Sequence, residues 1–177
     1  MDDNGHGSHC SGIIAAADNT FGVVGVAPKV ALYGVKVLDA QGSGTFSDVI
    51  AGMEWAVKNH MQVASMSLGA DRGNDSLKAA VAAMKKAGVI LIAAAGNSGK
   101  AVGYPAAYDG AIAIAAMDSN NQVADFSSRG PSVALIAPGV DVKSTYMGGG
   151  YETFSGTSMS TPHVAGLTAL YVATHKW

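Results

Sequence analysis

Three polar residues far apart along the chain have the side-chain types that acyl transfer requires. Ser158 lies in the run GTSMSTPHVAG, positions 156 to 166, where a glycine-flanked turn leads into an apolar stretch, 164–170, that predicts a buried helix. A serine there stands at a helix N-terminus, where unpaired N–H groups and the positive end of the dipole favour negative charge developing on a nucleophile. His6 stands between two glycines in NGHGSHCSG, positions 4 to 12, ahead of the small-residue stretch 13–17. With no bulky neighbour at the start of a closely packing helix, its ring can turn into a cleft. Asn97 follows the apolar run 89–95, which reads as a fully buried strand. It is therefore expected just past that strand's C-terminal end, where open α/β sheets place their ligands. Taken alone, Ser158 reads as an ordinary cap for first-turn N–H groups. Taken together, a hydroxyl, an imidazole and a carboxamide supply a nucleophile, a base and a donor for an oxyanion.

The elements that must hold these residues alternate in type. Stretches 30–37 and 63–67 read as strands, and 47–60 between them carries Val49, Ile50, Met53, Ala56 and Val57 at helical spacing, with Ser47 as the expected cap. A second helix is predicted over 75–87, rich in Ala, Leu and Lys and stopped by Gly88; short strands follow at 111–116 and 133–136. This order implies parallel pairing with right-handed crossovers. The expected fold is α/β, three-layered, with a mostly parallel central sheet and helices on both faces. No repeat, linker or low-complexity segment interrupts it, so one domain is expected over 1–177.

Composition removes several functional classes. The chain has 177 residues, of which 49% are hydrophobic and 14% charged, enough to bury a sizeable interior and too few charges for disorder. A net charge of −2 provides no field for nucleic acid, and the apolar runs are broken before they reach a membrane-spanning length. No charged-then-apolar leader opens the sequence, which says nothing about secretion because its start is expected to be internal. Cys10 is the only cysteine, which excludes an intrachain disulfide. Four residues from His6, it reads as a buried, inert thiol beside that ring. His6, Ser8 and His9 lack a third ligand for zinc, and His163, following Pro162, reads as structural.

The order of motifs resembles that of the subtilisin-like serine proteases. Besides the His and Ser motifs it includes GVAP at 25–28, YGVKVLDAQGSG at 33–44, GMEWA at 52–56, SMSLG at 65–69, AAAGN at 93–97, FSSRGP at 126–131 and APG at 137–139, reaching from His6 to Trp177. The resemblance implies a serine endopeptidase working through an acyl-enzyme on polypeptide substrates. Ser158 would be the nucleophile and His6 the general base and acid. The Asn97 side chain and the Ser158 N–H would form the oxyanion hole. Extended peptide would lie between Gly42-Ser43-Gly44 and Ser67-Leu68-Gly69. Gly96 and Gly103 would stand at the base of a pocket with room for a large apolar side chain. A calcium loop is implied at 17–23, with the Asn19 side chain and the carbonyls of Ala17, Phe21 and Val23 as oxygen ligands. A secreted monomer is a further expectation of the same kind.

One component of such a site is not found. The family's aspartate precedes its histidine on an early strand, whereas only five residues precede His6 here, and Asp2 and Asp3 read as solvated acids near a helix start. Both ends of the chain are expected to be internal to a longer one, and its own activity is expected to be weak to none. The competing reading is a non-catalytic scaffold that keeps the peptide groove. An esterase of the α/β-hydrolase type fits less well, because 156–160 lacks the second glycine of GxSxG and the histidine precedes the serine.

Overall fold

The histidine motif opens the first helix in the computed structural model, which describes residues 1–175; Lys176 and Trp177, where the last helix was expected to end, lie outside the described residues. Helix α1 (His6–Ala15) follows Gly5, whose φ of 98° suits glycine and where a Cβ would lie 2.2 Å from the Tyr146 ring. Asp2 is not a free solvated acid. Its carboxylate accepts the N–H groups of Asn4, Gly5 and Ser8 at 3.1, 3.0 and 2.8 Å and so holds the helix start in place. Asp3 pairs with Lys36 at 3.0 Å.

Helix α2 (Phe46–Lys58) begins one residue earlier than predicted, and its cap is Thr45 instead of Ser47. Thr45 and Asp48 form a reciprocal capping box: Thr45 Oγ1 accepts the Asp48 N–H at 3.1 Å while the Asp48 carboxylate accepts the Thr45 N–H at 3.3 Å. Helix α3 (Asp75–Lys86) is capped by Asn74, whose Oδ1 accepts the Leu77 N–H at 2.8 Å, and it stops before Gly88 at φ 79°.

Four parallel strands in the order β1-β2-β3-β4 form the sheet: β1 (Val63–Met66), β2 (Ile90–Ala94), β3 (Ala111–Met117) and β4 (Val133–Pro138). Strand alternation sends neighbouring residues of β2 to opposite sides. Leu91 packs with Val49 and Met53 of α2 and with Leu77, Val81 and Met84 of α3. Ile92 packs with Ile14 of α1 and with Val164 and Ala165 of α4 (Thr157–Thr174). The expected three-layer α/β architecture is therefore present, and both faces of β2 are covered, which is why its sequence is continuously apolar.

Three local expectations fail. Residues 30–37 are not a strand: among the described residues they join no sheet and 31–37 make no main-chain hydrogen bond, and Leu32, Tyr33 and Val35 are exposed. Their composition suits a strand, but strand propensity is realised only when a neighbouring edge lies alongside. A hairpin of β5 (Val142–Thr145) and β6 (Tyr151–Phe154) was not foreseen. It lies over α1, with Ser144 Oγ donating to His9 O at 2.8 Å and Thr145 Oγ1 to Ser8 O at 3.0 Å. Helix α4 is longer than the apolar run that announced it and is not buried all round, since Leu167, Leu170 and Tyr171 face outward. Among the described residues no helix is long and apolar enough to cross a membrane.

Candidate active site

Ser158 is the second residue of α4, half-buried, with Gly156 as the N-cap. Pro162, four residues later, has no N–H to give the Ser158 carbonyl, so that carbonyl lacks its intrahelical partner. Two side chains take its place: Ser67 Oγ donates to Ser158 O at 2.7 Å and the Cys10 thiol donates to it at 3.5 Å. The Ser158 hydroxyl in turn donates to Ser67 O at 3.3 Å. Residue 67, at the end of β1, is thus tied to residue 158 from both sides.

His6 begins α1 and its ring lies against Cys10 Sγ, 3.9 Å from Nε2 and 4.0 Å from Nδ1. Cys10 therefore touches both the imidazole and the Ser158 main chain. Among the described residues no hydrogen bond joins His6 to Ser158, because the hydroxyl is turned onto Ser67 O. Burial lowers the His6 pKa, and the nearby His9 lowers it further, against the opposing pull of the Asp2 charge. The ring is thereby held in its neutral, proton-accepting form near pH 7. Burial pushes the Cys10 thiol up to about 11, so it stays protonated and donates, without nucleophilic character.

Asn97 follows β2 as expected. Its Oδ1 accepts both the Thr157 N–H, at 2.8 Å, and the Thr157 hydroxyl, at 2.9 Å. An amide N–H can only donate, so the atom facing Thr157 is the oxygen and Nδ2 is turned away from it. A point one Cβ bond from Gly156 lies 3.5 Å from Asn97 Nδ2 and 3.7 Å from Ser158 N. The same point is 3.8 Å from Asn97 Oδ1, so the Asn97 amide as a whole lies close to the Ser158 N–H at the start of α4.

The Subtilase family matches residues 1–177. This chain belongs to the subtilase family. It is 53% identical over 170 residues to a thermostable alkaline protease of Halalkalibacterium halodurans, covering 96% of this chain and 47% of that protein. It is 50% identical over 177 residues to subtilisin DY of Bacillus licheniformis, covering 97% of this chain and 65% of that one. A solved cold adapted subtilisin-like serine proteinase superposes with a TM-score of 0.91 at 41% identity, over 98% of this chain and 63% of that one. The chain thus spans about half to two thirds of the length of these relatives.

The other residues singled out in this subtilase are distributed as follows. Ser67-Leu68-Gly69 and Gly42-Ser43-Gly44 border one cleft. The latter is also a tight turn closed on Asp39, with Asp39 N–H donating to Ser43 O at 2.7 Å and Ser43 N–H to Asp39 Oδ1 at 2.9 Å. A Cβ on Gly96 would stand 3.0 Å from Ser128 Oγ and 3.9 Å from Gly103 N, and one on Gly103 3.0 Å from Ala70 O. The two glycines thus sit side by side where a side chain would crowd. In the 17–23 loop, Asn19 Oδ1 accepts the Phe21 N–H at 3.1 Å, and Ala17, Asn19 and Phe21 are exposed while Val23 is half-buried. These oxygens are the hard donors calcium takes. His163 sets Nδ1 against Met159 O at 2.7 Å within α4. His9 is buried, donates from Nε2 to Glu152 O at 3.0 Å and tilts against Phe154 at 4.6 Å between ring centroids. Sequence reasoning named Ser67 for peptide binding but not for its hydroxyl, and did not name Thr157, although Pro162 at i+4 from Ser158 already announced a carbonyl in need of a donor.

Proposed function

We propose that this chain carries the nucleophile, base and oxyanion hole of a serine endopeptidase that cleaves peptide bonds through an acyl-enzyme. The reading rests above all on the proximity of Asn97 Nδ2 and Ser158 N, which lie 3.5 and 3.7 Å from one point a bond's length from the Gly156 Cα. Ser158 Oγ leaves its hydrogen bond to Ser67 O by rotation about χ1, passes its proton to neutral His6 and attacks the scissile carbonyl carbon. The carbonyl π pair moves onto oxygen, and that oxyanion is held by Asn97 Nδ2 and Ser158 N. Protonated His6 gives the proton to the departing amine as the C–N bond breaks, leaving the acyl group on Ser158. Water, deprotonated by His6, then attacks the acyl carbon and restores the serine.

Substrate main chain lies along Ser67-Leu68-Gly69 and Gly42-Ser43-Gly44, and Gly96 and Gly103 stand at the base of the pocket for a large apolar residue before the scissile bond, where a Cβ would meet Ser128 Oγ or Ala70 O. In the same reading Asn19 and the carbonyls of Ala17, Phe21 and Val23 would hold calcium, and the ion would stiffen the loop after α1. No carboxylate hydrogen-bonds His6 among the described residues, since Asp2 is committed to Asn4, Gly5 and Ser8. Loss of the orienting acid costs hydrolases of this kind about four powers of ten in turnover, so residues 1–177 alone are weak. The rotation of the Ser158 hydroxyl onto Ser67 O favours a second reading, a peptide-binding scaffold without catalysis.

Labelling with a fluorophosphonate, in this chain and in any longer natural form, decides between them. Labelling that disappears in Ser158→Ala supports the protease, and no labelling in either form supports the scaffold.

A further inference from the structure

The main chain on either side of His6 is fastened to the β5/β6 hairpin. Ahead of it, the Tyr146 hydroxyl donates to Asn4 O at 2.9 Å, and Asn4 Oδ1 accepts the His6 N–H at 3.3 Å. Tyr146 thus reaches the His6 backbone through Asn4. Behind it, Thr145 and Ser144 donate to the carbonyls of Ser8 and His9, and the His9 ring meets Glu152 O at 3.0 Å. His9, Phe154 and Tyr146 form a row of rings with centroids 4.6 and 5.8 Å apart. The fit leaves no slack, since a Cβ on Gly5 would lie 2.2 Å from the Tyr146 ring and one on Gly12 2.2 Å from Thr145 Oγ1. Packing this close transmits a displacement instead of absorbing it. The other end of the hairpin belongs to the nucleophile: β6 ends at Phe154, Ser158 follows shortly after, and between them the Gly156 N–H is tied to Gly139 O at 2.7 Å. The turn at 147–150 has no such support, because a Cβ on Gly148, Gly149 or Gly150 would meet nothing within 4 Å.

We propose that Tyr146 is a positioning residue for the base: through Asn4 it sets the first turn of α1, and with it the His6 ring, against the hairpin that leads to Ser158. The inference rests on the reading of His6 as base and Ser158 as nucleophile. Holding the helix together and placing it are separate duties here. Asp2 gathers the N–H groups of Asn4, Gly5 and Ser8, so the start of α1 keeps its shape without Tyr146. The Tyr146 hydroxyl instead fixes that start relative to β5. Its removal leaves the ring against Gly5 and Phe154 but frees Asn4 O, and the His6 N–H bonded to Asn4 shifts with it. Proton transfer from Ser158 to His6 depends on separation far more steeply than folding does, so the shift appears in the rate of covalent reaction.

The test compares the unaltered chain with Tyr146→Phe and Tyr146→Leu. Fluorophosphonate labelling is followed over reagent concentration, which separates the saturating rate from the half-saturating concentration, and the imidazole NMR signals of His6 and His163 are recorded without reagent. Tyr146→Phe is expected to lower the saturating rate by about tenfold and to leave the half-saturating concentration within about twofold. It should shift the His6 signals and leave those of His163 in place. Tyr146→Leu, which also loses the ring against Gly5, should lower the rate further. Asn74→Ala is the control: it removes the cap of α3, which packs on the opposite face of the sheet from α1, and should weaken the fold to urea without moving the rate or the His6 signals. An unchanged saturating rate or unmoved His6 signals in Tyr146→Phe overturn the proposal, as does an equal loss of rate in Asn74→Ala. Absence of labelling in the unaltered chain overturns the roles given to Ser158 and His6 instead; the hold of Tyr146 on His6 is then decided by the NMR signals, and unmoved His6 signals in Tyr146→Phe reject it.

Discussion

Ser67 and Ser158 hold each other through two hydrogen bonds, the Ser67 hydroxyl to the Ser158 carbonyl at 2.7 Å and the Ser158 hydroxyl to the Ser67 carbonyl at 3.3 Å. The end of β1 and the start of α4 are joined at the residue proposed as nucleophile. Pro162 makes the first bond necessary by withholding an N–H from the Ser158 carbonyl. Ser67→Ala should cost about 1 kcal/mol in urea unfolding, because the carbonyl keeps only the weaker Cys10 donor. In a Pro162→Ala background, where an N–H is restored, the same change should cost less; equal costs in both backgrounds would contradict this account.

Asn97 has two separable duties, holding Thr157 through Oδ1 and presenting Nδ2 beside Ser158 N. Asn97→Asp keeps the oxygen that caps Thr157 and loses the donor, so it should unfold near the wild-type urea concentration while fluorophosphonate labelling falls by about a hundredfold or more. Asn97→Ala loses both and should in addition cost about 1 kcal/mol of stability. Labelling at the normal rate in Asn97→Asp would remove the amide from the oxyanion hole.

Acid sensitivity follows from the histidines. Burial is the leading cause that lowers the pKa of His6, His9 and His163 from the ordinary 6.5, so each prefers to be neutral in the folded chain. As pH drops below about 6.5 the unfolded chain takes up protons that the folded chain refuses, and stability present above that pH is lost. Urea unfolding at pH 7.5 and pH 5.5 should show the decline, smaller in His9→Gln. Asp2 adds a second loss at lower pH: burial alone would raise its pKa, but the hydrogen bonds from Gly5, Ser8 and Asn4 outweigh it and lower it from 3.8. A stability that is flat between the two pH values would count against buried neutral imidazoles.

Cys10, raised by burial from 9.0 to about 11, should react slowly with iodoacetamide. At pH 8 the folded chain is expected to alkylate about a hundredfold more slowly than the chain in urea, following its thiolate fraction. Mercurial modification, which needs less thiolate, should perturb the His6 ring that lies against the sulfur, read as a shift of its imidazole NMR signals. Fast alkylation of folded protein would show the thiol to be open to solvent.

Calcium in the 17–23 loop would bind the folded state alone. At about 100 times its Kd it should add about 2.7 kcal/mol, and Asn19→Ala should abolish most of that gain. Thermal melts with calcium and with chelator measure it, and identical melting temperatures would withdraw the ion.

Local chemistry was legible along the chain before any fold was known. A glycine turn before a helix placed Ser158, an apolar run ending at a glycine placed Asn97 beyond a strand, and the cap and stop residues bounded α3 within a residue. Whatever needed a partner distant along the chain was left to the folded molecule. Residues 30–37 have a strand's composition, yet with no strand edge alongside they remain unpaired. The β5/β6 hairpin was illegible because its anchors are carbonyls of α1. Asp2 looked solvated until the first turn of α1 folded its N–H groups around the carboxylate. The orientation of the Ser158 hydroxyl was settled by the Ser67 carbonyl, 91 residues away. Helix caps close within a few residues of one another and can be read along the chain; strand pairs and cross-chain hydrogen bonds exist only once folding brings their two halves together.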